Sequence, residues 1–322
     1  MIRKDNIGRG ACRARAAALI AIGSLLPAIM TGCANRIATP ANRYALVIGL
    51  GTNNGGVTCR NADYDADDMG TLLGTTGWTS VNRLISSSNG SIATALQPTY
   101  GNIQAAVSAL ASEVGSDSSA TVLVYYSGHG LESNGYLVPY DAVESDGYIH
   151  DINKCISPAT LSNWLGAAGC RNKILILDSC YSGNFVDPGS AVDTSPQDSN
   201  TATGTTETGL LVAAISNLNS LVAASVEREG DPSVMTISAA GSDEQSYSGT
   251  SAWSNGVFTT FLLDSATHGD TDNDGYITTT EAYAYAKAGI ATYWNPMYLT
   301  YGYALLPHIS GGSGDLVLFV NQ

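Results

Sequence analysis

The sequence predicts an α/β fold with a mostly parallel sheet, and three observations point to it. Val122–Gly130 (VLVYYSGHG) and Ile174–Gly183 (ILILDSCYSG) are apolar runs of strand length that end abruptly in small and polar residues. Strands buried on both faces of a parallel sheet read in this way. Around them, strand-like runs alternate with stretches of helical spacing, the order of successive βαβ units. The same two runs deliver His129 and Cys180, 51 residues apart, to strand carboxyl ends, where open α/β sheets keep their sites.

The amino terminus stands apart from the fold. Arg3, Lys4, Arg9, Arg13 and Arg15 form a basic start, followed by the apolar run Ala16–Met30. That run is short for a membrane span and has the flanks of a secretory signal. It ends in Met30-Thr31-Gly32-Cys33, which resembles the lipobox of bacterial lipoproteins, whose cysteine is lipidated and becomes the first residue. Met30 departs from the leucine favoured at that place. The expectation is a signal peptide over 1–32, a tether over 33–43, and an exported protein anchored through Cys33 at the periplasmic face or the cell surface.

The elements follow in order. Tyr44–Leu50 reads as a strand, and Ala62–Leu73 has helical spacing with an Asp-rich start that suits the positive end of a helix. Val81–Ser86 is a second strand, and Gly101–Val114 a helix with apolar residues at Ile103, Val107 and Leu110. Thr121–Tyr126, Pro158–Ala167 and Lys173–Asp178 continue as strand, helix and strand. Val186–Gly209, rich in Ser, Thr, Asp and Gly, reads as a flexible linker. Gly209–Val226 has helical character. Then come a strand at Val234–Ala239, helices at Val257–Ala266 and Glu281–Thr292, and a terminal strand at Leu316–Val320. No internal repeat is visible, and the insertion splits one domain (44–322) into a large portion, 44–185, and a small one, 234–322, around a linker at 186–233.

Charge narrows the function. The chain carries 14 basic and 28 acidic residues, and removing 1–32 leaves nine against 27. Such a surface repels nucleic acid and favours cationic substrates or metal ions, so DNA binding is excluded. Cys33, Cys59, Cys155, Cys170 and Cys180 show no zinc-site spacing. Export would permit a disulfide, for which Cys155 and Cys170 are the candidate pair.

His129 lies in Tyr126-Ser127-Gly128-His129-Gly130, and Cys180 in Asp178-Ser179-Cys180-Tyr181-Ser182-Gly183. A thiol and an imidazole at neighbouring strand ends suit a cysteine nucleophile with its base. The imidazole is expected to lower the thiol's pKa and to protonate the leaving amine. The backbone N–H groups of Cys180 and Gly130 are candidate donors to the developing oxyanion.

With these residues in view, the chain resembles the caspase-like cysteine peptidases, and the metacaspase and paracaspase branch more than the animal caspases. The family's S-G-H-G motif stands here as Ser127–Gly130, its D-S-C-x-S-G motif as Asp178–Gly183, and the interval between them is also the family's. The resemblance runs from Tyr44 to about Val320. It implies a six-stranded sheet flanked by helices, and cleavage of peptide bonds in protein or peptide substrates. Animal caspases place Gln where this chain has Asp178. Metacaspases and paracaspases bind Arg or Lys with acidic residues from three segments, matched here by Asp63, Asp178 and Asp243, with Ser127 beside them as a substrate-binding residue. A carboxylate cluster suits a guanidinium. Arg60, near the place of a caspase pocket arginine, is the one feature that favours aspartate instead. Arg228 is the sole basic residue between Cys180 and the strand after the linker, which makes it the expected point of self-cleavage.

One motif lies outside the peptidase pattern. Asp270–Glu281 fits the twelve-position EF-hand loop, with Asp270, Asp272 and Asp274 at positions 1, 3 and 5, Gly275 at 6, the Tyr276 carbonyl at 7, Thr278 at 9 and Glu281 at 12. Calcium is therefore the expected ion; a single loop suits stabilising the fold better than switching it, and the catalysis itself is expected to need no cofactor. The competing functions are a calcium-binding surface lipoprotein that uses a peptidase fold for protein contact, and a peptidase with aspartate specificity.

Overall fold

The computed structural model describes residues 42–87, 96–132, 135–186, 234–248, 253–298, 302–311 and 315–321. The signal segment, Cys33, nearly all of the tether, the linker with its helical stretch, and Arg228 lie outside the described residues.

Five parallel strands and one antiparallel strand form the main sheet. They are β1 (Arg43–Leu50), β2 (Ser80–Ser86), β3 (Thr121–Ser127), β4 (Asn172–Asp178), β5 (Val234–Ser238) and β7 (His308–Ser310), in the order β2-β1-β3-β4-β5-β7. The helices are α1 (Ala62–Thr75), α2 (Tyr100–Val114), α3 (Pro158–Gly166), α4 (Val257–His268), α5 (Thr279–Gly289) and the short α6 (Asn295–Tyr298). The period of two along each strand separates two cores. Val47, Leu123, Tyr125, Ile176 and Ile237 pack with Met69 and Leu73 of α1 and Phe258 and Leu262 of α4. Ile48, Val124, Tyr126 and Leu177 meet Ile103 and Val107 of α2 and Leu161 and Leu165 of α3. Both faces of the central strands are covered, which is why they read as unbroken apolar runs.

Local chemistry sets the helix ends. Thr99 and Ser157 cap α2 and α3 by accepting from Asn102 N–H and Thr160 N–H, and Gly115 ends α2 at φ 56°. Thr278 and Glu281 form a reciprocal capping box on α5. The expected helix to Thr292 instead passes at Ile290 into a π-helical turn that runs to Trp294, just before Pro296, which cannot donate to an α-helical ladder.

The sixth strand is not the expected one. Val317–Val320 (β8) pairs antiparallel with the three-residue β6 (Tyr276–Thr278) in a separate two-stranded sheet. The sheet edge is taken by β7, too short and too polar to stand out in sequence. The buried Arg43 ties β8 to the start of β1. Its guanidinium donates to the carbonyls of Val317 and Leu318 at 2.7 Å and of Thr76 at 3.1 Å, and lies 4.3 Å from the Trp78 ring centroid. Burial lowers its pKa to about 10, so it stays charged at neutral pH. The candidate disulfide does not form: Cys155 and Cys170 are free thiols buried in different clusters. No helix among the described residues is long and apolar enough to cross a membrane.

Candidate active site

The strand order reverses at β1, which has β2 on one side and β3 on the other, and a crevice opens outside the carboxyl ends at such a point. Register does the rest. Gly49 pairs with Ser127, and Ser127 pairs with Asp178, so the three strands end on one line. His129 and Cys180 each lie two residues beyond it. Both line a cleft with Cys59, Arg60, Asp65, Ser127, Asp178, Ser179, Ser246, Tyr247 and Gly256.

No hydrogen bond joins the imidazole to the thiol among the described residues. The His129 Nε2 donates to the Thr58 carbonyl at 3.2 Å, a bond that leaves Nδ1 as the acceptor, and Cys180 Sγ donates to the Ser246 carbonyl at 3.6 Å. Burial lowers the His129 pKa, and burial with the charge of Asp178 raises that of Cys180. The expected lowering of the thiol's pKa is therefore absent at rest: both shifts favour a neutral thiol beside a neutral imidazole. Cys59, on the same wall, is pushed up to about 12, chiefly by burial, and remains a thiol.

Gly130 packs its Cα against the Cys180 carbonyl so closely that no side chain fits there. Among the described residues the Gly130 N–H makes no backbone hydrogen bond, and the Cys180 N–H meets only its own sulfur, so neither is tied up by another residue.

Two buried carboxylates form the floor. Asp178 accepts from the hydroxyls of Ser246 and Thr259 and from Thr259 N–H, and Tyr125 O–H donates to Thr259 Oγ1 at 2.6 Å. Asp65 accepts from Ser127 Oγ and from Gly256 N–H, each at 2.7 Å. Burial, and then the charge of Asp178, raise the Asp65 pKa well above the usual range, and burial raises that of Asp178. Among the described residues, no basic side chain forms an ion pair with either carboxylate. Arg60 is exposed, at the rim of the cleft and not at its floor.

Of the acidic residues expected here, the structure brings only Asp178 to the cleft, with Ser127 beside it. Asp63 is buried elsewhere, against Gly51, and accepts from Ser87 Oγ at 3.0 Å. Asp243 lies exposed on a turn, outside the lining. Asp65 stands at the cleft where Asp63 was expected. Both aspartates are buried on α1, so helical spacing does not choose between them; the hydrogen bonds of Asp65 with Ser127 and Gly256 do. Gly256, Thr259, Ser246 and Tyr247 carried no local signal either, since they arrive from the far side of the linker.

The acidic loop also closes on itself. Ligand atoms of Asp270, Asp272 and Asp274 all lie within 4.8 Å of one another, and Asn273 and Gly275 adopt φ of 59° and 90°. The Glu281 carboxylate accepts from Thr271 N–H and Thr278 N–H at the two ends of the loop, and Tyr276 and Thr278 lie in β6. Three converging carboxylates with carbonyl and hydroxyl groups nearby are the hard oxygen donors that suit calcium.

Comparison with known proteins agrees with this geometry. The family model of the caspase domain matches residues 42–286. Caspase-1 from Spodoptera frugiperda shares the fold at a TM-score of 0.52 and 14% identity, over 88% of this chain and 91% of that one. No curated protein matches the sequence. The match spans most of the chain, including the strand ends that carry His129 and Cys180: the chain belongs to the caspase-domain peptidases and is a cysteine-type endopeptidase of protein or peptide substrates.

Proposed function

We propose that the protein is a metacaspase-type endopeptidase that cleaves after Arg or Lys, with Cys180 as nucleophile and His129 as its base and acid. One observation carries the specificity: two buried carboxylates, Asp65 and Asp178, with no ion-pair partner among the described residues, share a cleft with the thiol and the imidazole. A buried charge without a partner is costly, and an incoming guanidinium or ammonium supplies that partner. The exposed Arg60 at the rim offers an aspartate side chain no comparable enclosure.

In this reading the substrate's basic side chain enters toward Asp65 and Asp178, which sets its carbonyl beside Cys180. His129 takes the thiol proton at Nδ1 as sulfur attacks the carbonyl carbon. The Thr58 carbonyl, by holding Nε2–H, keeps that tautomer in place. The N–H groups of Gly130 and Cys180 receive the oxyanion. His129 returns the proton to the departing amine, and water, deprotonated by the same imidazole, releases the acyl group.

Fluorogenic peptides ending in Arg, Lys, citrulline or Asp test this. Turnover of the Arg and Lys peptides by the wild type and none by Cys180→Ala is expected. Turnover of the Asp peptide alone would refute the pocket, and no turnover of any peptide would refute the dyad.

The reading extends to the flanks. The signal-like segment and Cys33 support export and a lipid anchor, which mass spectrometry of the mature amino terminus tests. Self-cleavage at Arg228 is the proposed maturation step, and intact linker in fully active protein would reject it. Calcium held by Asp270, Asp272, Asp274, the Tyr276 carbonyl, Thr278 and Glu281 is proposed as a structural ion, since β6 pairs with β8 where a second EF-hand would otherwise pair.

A further inference from the structure

Gly256 is a residue of the cleft that no motif marks. It stands just before α4, and its N–H holds Asp65 Oδ1. A Cβ built on it would lie 2.9 Å from Asp178 Oδ2 and 3.0 Å from Asp65 Oδ2. One point thus meets both carboxylates, which come from different elements, and the two oxygens lie within the sum of those distances of each other. A methyl group there would sit inside ordinary van der Waals contact with both and cover the floor of the cleft.

Nothing in the backbone asks for glycine. Its φ of −57° and ψ of 155° are open to every L-residue. The position is the N-cap of α4, where Ser, Thr, Asp and Asn are preferred, and α4 has no side-chain cap. Conformation admits a side chain and the helix end would gain from one. What forbids it is the space over the two carboxylates.

We propose that Gly256 determines specificity: its bare Cα keeps the acidic floor open to the cationic head of an Arg or Lys side chain, and a side chain at this position shuts that floor while leaving the thiol and imidazole in place. The inference rests on the basic-residue reading above and names the position that controls access to it. It separates room from charge, because a substitution at 256 removes the room and keeps both aspartates.

The test uses the purified protein with Gly256→Ala and Gly256→Ser, both compatible with the observed φ. Three quantities are read: kcat/KM on Arg and Lys peptides, the rate of Cys180 alkylation by iodoacetamide, and the thermal midpoint. Loss of the contacts to both carboxylates is expected to lower kcat/KM on the Arg peptide by about a hundredfold or more. Alkylation should stay within about twofold of wild type, since the atoms nearest a Cβ at 256 belong to Asp178 and Asp65 and not to Cys180 or His129. A folded variant that keeps Arg turnover within about threefold overturns the proposal. So does a parallel loss of alkylation, or a collapse of the midpoint in both variants, either of which makes the glycine structural. Wild-type protein that cleaves neither basic peptide refutes the acidic pocket itself, an outcome visible before any variant is made.

Discussion

Asp65→Asn halves the charge on the cleft floor while nearly preserving its shape. Asparagine Oδ1 can still accept the Gly256 N–H that Asp65 holds at 2.7 Å, and the Ser127 hydroxyl, now at 2.7 Å from the other oxygen, can rotate to accept from the new amide. What disappears is one charge-assisted hydrogen bond to the substrate, worth about 1.5–3 kcal/mol. By the usual conversion, kcat/KM on an Arg peptide should fall by about 10- to 150-fold. Stability should move the other way. Burial and the neighbouring Asp178 raise the Asp65 pKa above its ordinary 3.8, so the folded protein holds that proton more tightly than the unfolded chain does. Wild-type stability therefore falls as pH rises from the ordinary value through the raised one, and the loss is complete above it. Asparagine carries no such proton. The variant should melt at or above the wild-type temperature at neutral pH and lose this advantage in acid. Circular-dichroism melts across that range, with peptide kinetics, check both arms. Undiminished Arg turnover, or an advantage seen only in acid, would refute the reasoning.

Further predictions concern the dyad, the calcium loop and the buried arginine. Alkylation of Cys180 should keep quickening as pH rises past its ordinary 9.0, because burial and Asp178 raise its pKa; a rate that levels off below neutrality would instead mean a preformed thiolate–imidazolium pair. His129→Ala should abolish peptide turnover and leave the thermal midpoint nearly unchanged. Saturating calcium should stabilise the wild type by about 2.7 kcal/mol at a hundred times Kd, read as a rise in melting temperature, and Asp270→Asn should remove that rise. A calcium-saturated wild type with an unmoved midpoint would reject the site. Arg43→Met strips the donors from the carbonyls of Thr76, Val317 and Leu318 and should cost about 3–5 kcal/mol in urea unfolding. A cost below about 1 kcal/mol would mean that water replaces the guanidinium.

The central sheet was legible because burial on both faces leaves no polar alternation. The runs that became β1, β3 and β4 stand out for that reason, and their ends delivered His129 and Cys180 without ambiguity. The edge strand β7 and the small sheet of β6 and β8 were not legible. A three-residue strand with half-exposed polar side chains carries no period, and an apolar segment such as Val317–Val320 says that it is buried but not against what. The pocket divides along the same line. Asp178 is legible because it shares a strand end with Cys180, whereas Asp63 and Asp65 both lie buried in the first turn of one helix, and only the tertiary contacts of Asp65 with Ser127 and Gly256 set it at the cleft.

By itself the sequence determined the fold class, the pairing of a thiol with an imidazole, and the acidic character of the chain. These are properties of single strands and of composition, written in consecutive residues. The tertiary structure decided which aspartate faces the cleft, that the Thr58 carbonyl holds the imidazole, that burial lowers the pKa of His129 and raises that of Cys180, and that Gly256 packs against both carboxylates. Each of those depends on groups far apart in the chain and packed out of water, where a contact of 3 Å or a lost hydration shell shifts the balance and no local pattern records it.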